Sequence, residues 1–150
     1  MNSSAVEKPS KIESWILASR PRTMLAAVVP VMVGSALAIS QNNFTLLLAL
    51  FALLCSILIQ VGTNFTNDLY DYLKGTDKED RIGPRRVLVS GLISTSEMKL
   101  GIITVFGLAF LLGLYLVYAA GIVILFIGVI SILAGLAYTA GPYPLAYNGL

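Results

Sequence analysis

Asn67, Asp68 and Asp71 are the residues of this chain best suited to chemistry. With Gln60 and Asn64 they fall within one arc of about a third of a helix, at about 100° per residue. All five side chains carry oxygen, and none is a thiol or an imidazole. Such donors suit Mg²⁺, which is commonly held by one or two carboxylates together with substrate phosphates. Gly75 can end the helix in a left-handed conformation, and the chain can then fold back to bring Asp77 towards Asp71. The segment Lys78-Glu79-Asp80-Arg81-Ile82-Gly83-Pro84-Arg85-Arg86 follows. Its guanidinium forks can take phosphate oxygens two at a time. For any one of these basic residues, a purely topological role serves equally well.

The elements that must position these groups are set by where charge is withheld. No Lys, Arg, Asp or Glu lies between Thr23 and Asn67, or from Leu100 to Leu150. A spanning helix needs about 20 apolar residues, so each stretch has room for two. Four transmembrane helices are predicted, at roughly 23–40, 44–71, 96–118 and 121–139, from the helix length a bilayer demands. A composition of 57% hydrophobic and 12% charged residues excludes an ordinary soluble domain. The fold class expected is an all-α, polytopic transmembrane helix bundle. The polar stripe then sits at the end of the second span. Polar groups there are costly and usually face a bundle interior or a wet cavity. Headgroup charge at a helix end would explain Asp71, but it explains Gln60 and Asn64 poorly.

Every basic cluster falls on one side of such a bundle. Lys8, Lys11, Arg20 and Arg22 precede the first span, and Lys74, Lys78, Arg81, Arg85, Arg86 and Lys99 follow the second. The turns at 41–43 and 119–121 carry no charge. The positive-inside rule therefore puts the N-terminus and the 72–99 loop in the cytoplasm. No basic face interleaved with aromatics is present, so nucleic acid is not an expected partner. The chain has no His, which removes His/Cys zinc chemistry. Cys55, the one cysteine, reads as a small buried hydrophobe.

Residues 1–9 read as a disordered tail and 10–150 as part of one transmembrane domain. Ser10 and Glu13 fit a capping box. The short helix they open reads as lying in the interface with Trp15 at headgroup level, or equally as a plain juxtamembrane linker. Pro21 can start the first span, and Pro30 is expected to kink it. Gly121, Gly128 and Gly135, seven apart, are expected to form a close-packing face, as are Gly107 and Gly113.

Acidic metal ligands beside Arg and Lys at a membrane surface point to a diphosphate ester with a greasy tail. Ionic chemistry would occur at the surface while the tail lies between helices. A transporter fragment, with Gln60–Asp71 lining an ion path, is the competing class. Transporter sites lie near the midplane, whereas this stripe sits at one face and continues into a basic loop. A structural subunit would need no such cluster.

Asn67-Asp68-Leu69-Tyr70-Asp71 with Lys74-Gly75-Thr76-Asp77 resembles the first aspartate-rich motif of the UbiA superfamily of intramembrane prenyltransferases. The likeness covers nearly the whole chain from Trp15. Three further stretches are similar to the branch that prenylates 1,4-dihydroxy-2-naphthoate in menaquinone and phylloquinone synthesis. They are Arg20-Pro21-Arg22-Thr23 with Pro30, Val31 and Gly34; Asp77 through Gly91; and Gly141 through Leu150.

The resemblance implies Mg²⁺ held by Asn67, Asp68, Asp71 and Asp77. It implies diphosphate binding by Asn64, Lys74, Arg81, Arg85 and Arg86, and catalytic roles for Asp71, Asp68 and Lys74. The implied partners are a prenyl diphosphate, an aromatic acceptor and the lipid bilayer of a bacterial inner (cell) membrane. The implied reaction transfers the prenyl group with loss of the ring carboxylate as CO₂. Other acceptors of the superfamily, such as 4-hydroxybenzoate, a tetrapyrrole or homogentisate, are the alternatives. Tyr138 matches a family tyrosine, but Pro142 stands where many members carry a lysine. Members resemble a nine-helix bundle with a second aspartate-rich motif. This chain, with four helices and one acidic cluster, therefore reads as an N-terminal fragment, expected to be inactive by itself.

Overall fold

The structure, a computed structural model, describes residues 9–75, 86–141 and 144–147. Asp77, Arg81, Arg85, Pro142 and all of the predicted tail but Pro9 lie outside the described residues. Five α-helices are present: α1 (Lys11–Ser19), α2 (Leu25–Ser40), α3 (Leu46–Leu73), α4 (Thr95–Ala120) and α5 (Val123–Ala137). Short 3₁₀ turns occupy Pro21–Thr23 and Leu145–Tyr147. The four predicted spans correspond to α2–α5, and the described residues contain no strand.

α3 has 28 residues and α4 has 26, so they are roughly 42 and 39 Å long at 1.5 Å per residue. Both exceed the hydrocarbon core of about 30 Å, and their ends must reach the headgroups. α5 is shorter. The segment Lys11–Thr23 meets α2 at a 52° bend, and the two together pass as one further broken span. Large apolar side chains stand exposed along all of the long helices, among them Met32, Leu37, Leu50, Leu111 and Ile130. Such a surface suits lipid rather than water.

A bend lies just before α2. Pro21 disfavours right-handed helix at the residue before it, and Arg20 takes φ 51. α2 then runs on through Pro30 as one helix, so the kink expected at Pro30 does not end the element.

α3 is the hub and packs against α1, α2, α4 and α5. The buried apolar core is gathered at one end of the bundle, from Ala18, Phe65, Leu69, Val87, Leu88, Ile93 and Met98. Trp15 belongs to this cluster. Its ring centroid lies 5.2 Å from that of Phe65, and a Cβ at Gly101 would meet the indole at 2.8 Å. The ring is therefore packed against α3 and α4 at that end of the bundle. A flat indole needs a surface without a Cβ, and α4 offers one.

The capping box at Ser10 and Glu13 forms in both halves, and Ser94 with Glu97 forms a second one that opens α4. Lys11 Nζ bonds Glu97 at 2.7 Å and donates to the Leu92 carbonyl at 3.2 Å. The Lys11–Glu97 pair is exposed and adds little to stability, but it fixes α1 over the start of α4.

The glycine expectation needs revision. A Cβ at Gly135 would collide with Thr63, but Gly107, Gly113 and Gly128 meet nothing. Gly121 is the turn between α4 and α5, at φ 95. The close α3–α4 approach uses Gly62 instead, where a Cβ would lie 2.8 Å from the Phe106 ring. Seven-residue spacing along one helix does not say which neighbour each glycine meets. Gly62→Leu is expected to destabilise by about 1–3 kcal/mol, the usual cost of overpacking. Gly107→Leu, in open space, is expected to change little. Thermal unfolding in detergent measures both, and equal midpoints would contradict this packing.

Candidate active site

The last turns of α3 carry the polar stripe, and they are buried. Asn64 is 3% exposed, Asn67 9% and Asp68 4%. The helix survives this density of polar groups because each finds a partner. A buried polar group without one costs about 1–3 kcal/mol or more. α3 ends where predicted: Lys74 caps it and Gly75 takes φ 67.

Two arginines converge on the carboxylates. Asp68 Oδ1 accepts from both Arg20 Nη2 and Arg86 Nη1. Arg86 Nη2 also bonds Asp71 Oδ2 at 3.2 Å. Arg86 therefore bridges two acids one turn apart. Its backbone is held by a compact turn in which Ser90 N donates to the Arg86 carbonyl at 3.0 Å, with Val87 and Leu88 buried beneath. Arg20 arrives from the α1–α2 corner. Its 48-residue separation from Asp68 explains why the pairing was not legible.

The corner itself is strapped to the stripe. Asn64 Nδ2 donates to the Ser19 carbonyl at 2.8 Å and to Thr23 Oγ1 at 2.9 Å. Gln60 Nε2 donates to the same hydroxyl at 3.3 Å. Both N–H bonds of Asn64 are thus directed to the corner that carries Arg20.

On the other side, Thr139 at the end of α5 meets the stripe. Its hydroxyl donates to Asn67 Oδ1 at 2.6 Å, and its carbonyl accepts from Lys74 Nζ at 2.9 Å. Thr23 and Thr139 were not singled out from the sequence. A hydroxyl next to a helix break is too common a feature to mark either.

Further along α3 there is a cavity of ≈ 370 Å³. Ala52, Cys55, Ser56, Ile59 and Gln60 line it from α3, and α2, α4 and α5 close it with mostly apolar side chains. Cys55 is buried, as expected, with Sγ 3.5 Å from the Ala109 carbonyl. Gln60 is common to the cavity and the stripe. The ionic cluster and the apolar cavity therefore adjoin on α3 at Gln60.

The donor set can be tested against a metal. Asp68 and Asp71 supply two carboxylates, with the Asn67 amide oxygen in the same arc. These all-oxygen donors fit Mg²⁺, which takes one or two carboxylates and completes its shell with water and phosphate oxygen. No group of three acidic, His or Cys residues that could hold a metal occurs among the described residues. The structure brings together Asn64, Asn67, Asp68, Asp71, Lys74 and Arg86 from the predicted set. Asp77, Arg81 and Arg85 lie outside it.

Comparison with known proteins follows the same lines. Residues 27–150 match the UbiA prenyltransferase family. The chain is 40% identical over 147 residues to a 1,4-dihydroxy-2-naphthoate octaprenyltransferase of Escherichia coli, covering 94% of this chain and 48% of that protein. It is 38% identical to the protein of the same name from Haemophilus influenzae, covering 93% of this chain and 48% of the relative. It is 30% identical to the UbiA prenyltransferase domain-containing protein 1 of Dictyostelium discoideum, covering 96% and 46%. The chain thus spans about half the length of the curated relatives it matches. No solved structure matches it.

Proposed function

This chain belongs to the UbiA prenyltransferase family, an integral membrane fold, and on that premise we propose that the full-length protein transfers a polyprenyl group from its diphosphate to 1,4-dihydroxy-2-naphthoate. The observation that carries the reading is the polar stripe Asn64–Asp71, met by Arg20 and Arg86, with Gln60 of the same stripe lining an apolar cavity. The names of the bacterial relatives support the acceptor.

Arg20, Arg86 and Lys74, joined by Arg81 and Arg85 from the following segment, bind the phosphate oxygens. Guanidinium forks suit that anion. In the structure Arg20 and Arg86 are engaged with Asp68. Turning them to the diphosphate leaves the carboxylates of Asp68 and Asp71 available to a cation. Asn67, Asp68, Asp71 and Asp77 would hold Mg²⁺, which would supply neutralisation of the charge developing on the diphosphate, an effect of several kcal/mol.

Asn64 keeps the corner that bears Arg20 in place. The prenyl tail lies in the cavity along α3. Its apolar walls exclude water from the allylic carbon, which would otherwise be hydrolysed. The C–O bond breaks with its electron pair leaving on diphosphate. A ring carbon of the acceptor forms the new C–C bond. The pair from the ring–carboxylate bond returns to the ring as CO₂ departs, giving a demethylmenaquinol-type quinol. The protein sits in a bacterial inner membrane with its N-terminus and the 72–99 loop in the cytoplasm, supported by the clustering of Lys and Arg at those segments.

The test is an assay of purified full-length protein with farnesyl diphosphate, Mg²⁺ and carboxyl-labelled dihydroxynaphthoate. Labelled CO₂ is expected in step with prenylated product, and 4-hydroxybenzoate is expected to turn over poorly. Equal turnover of the two acceptors would overturn the acceptor assignment, and no prenyl transfer to any acceptor would overturn the enzyme.

A further inference from the structure

Thr139 lies at the end of α5, 72 residues from its partner on α3, and it is 3% exposed. Its two polar atoms make two different bonds to the stripe. The hydroxyl donates to Asn67 Oδ1 at 2.6 Å, and the carbonyl takes a proton of Lys74 Nζ at 2.9 Å. Asn67 and Lys74 are seven residues apart on α3, two turns along the same side. One residue therefore spans both.

The bond to Asn67 has a positional consequence. A buried hydroxyl 2.6 Å from the carboxamide takes away its freedom about the last torsions. A hydroxyl can both donate and accept, so it keeps the Asn67 head in place beside the carboxylates. The segment after α5 is itself tied down, with Ala146 N donating to the Tyr138 carbonyl at 2.9 Å. Pro144 is buried alongside. The clasp thus rests on a braced segment.

We propose that Thr139 is a positioning residue: it holds the Asn67 carboxamide in place and Lys74 over the same site, joining the end of α5 to the diphosphate end of α3. This rests on the function proposed above. Thr139 touches no reacting atom. Its effect is exerted on affinity for the diphosphate in the presence of Mg²⁺, through Asn67.

The experiment is calorimetric titration of farnesyl diphosphate into the full-length protein with Mg²⁺, for Thr139→Val, Thr139→Ser, Asn67→Ala and the double variant. Thr139→Val keeps the shape and removes the hydroxyl. It is expected to weaken binding about tenfold, the effect of losing one buried hydrogen bond. KM for the diphosphate should rise by a similar factor while kcat changes far less. Thr139→Ser is expected to restore binding to within about twofold, since a hydroxyl bond is again available. In the Asn67→Ala background, Thr139→Val should add nothing, because the two residues act as one unit.

The proposal is overturned if Thr139→Ser binds as poorly as Thr139→Val, or if the loss persists undiminished in the Asn67→Ala background. Should Thr139→Val not yield folded protein, Thr139→Ala takes its place in the same cycle. If Asn67→Ala itself binds as the wild type does, the proposed function fails and this inference with it. If Asn67→Ala weakens binding and Thr139→Val does not, only this inference fails.

Discussion

Asp71→Ala in the full-length protein is expected to lower kcat/KM for prenyl transfer about a thousandfold or more. Losing a carboxylate that anchors a charge-neutralising cation forfeits several kcal/mol in the transition state. Asp71 stands at the point of the stripe nearest the end of α3, with its side chain 14% exposed and its Oδ2 held by Arg86. It is thus covered enough to act in a low dielectric and open enough to meet an anion arriving from the surface. Asp71→Asn separates shape from charge. It retains an oxygen able to accept from Arg86 but removes the negative charge, and it is expected to fall nearly as far. Product formation measured across a Mg²⁺ titration decides this. Activity within tenfold of the wild type in either variant would remove Asp71 from the reaction.

Asp68→Ala is expected to have the largest effect on stability of any change in the stripe. The side chain of Asp68 is 5% exposed, and Arg20 and Arg86 both donate to it. Removing the acid takes the shared carboxylate from two cations at once. Breaking a buried ion pair from one side costs about 3–5 kcal/mol. The arginine side chains are 28% and 18% exposed, so water screens part of the loss, and a value of about 3 kcal/mol is expected after that discount. Asp71→Ala should cost clearly less, because Arg86 keeps Asp68. Arg20→Ala should also cost less, because Asp68 keeps Arg86. Arg20 additionally holds φ 51, a left-handed conformation that costs a residue with a Cβ about 1–2 kcal/mol, so removing its side chain also releases the corner. Thermal midpoints in detergent rank the three variants. A midpoint for Asp68→Ala at or above that of Asp71→Ala would show that the two arginines do not depend on this acid.

The ranking depends on pairings that are illegible along the chain, unlike the elements that carry them. The spans α2–α5 follow from where charge is withheld, and their ends agree closely with those read from hydropathy. The inward stripe follows from 3.6-residue periodicity, since Gln60 to Asp71 can share a face only if the segment is helical. Gly75 marked the end of α3 because it alone there accepts positive φ without a Cβ penalty. The start of α4 is also readable, from Ser94 and Glu97, which have capping-box spacing.

Harder to read were contacts set by the angle between helices. That Trp15 lies against Gly101 and Phe65 is decided by the approach of α1 to α3 and α4. The glycine periodicity on α5 was real, yet one of its three members makes a close helix contact.

Hydropathy and helical periodicity along this chain are enough to say that it is a membrane bundle with an acidic, amide-bearing face at one end of a long helix. These are properties of consecutive residues, governed by one axis and one solvent boundary. That Asp68 meets Arg20, that Asn67 meets Thr139, and that a cavity opens beside Gln60 were decided by how the helices cross. Hydrogen bonds and ion pairs act over about 3 Å. A rotation of one helix about its neighbour changes such partners without altering any local pattern.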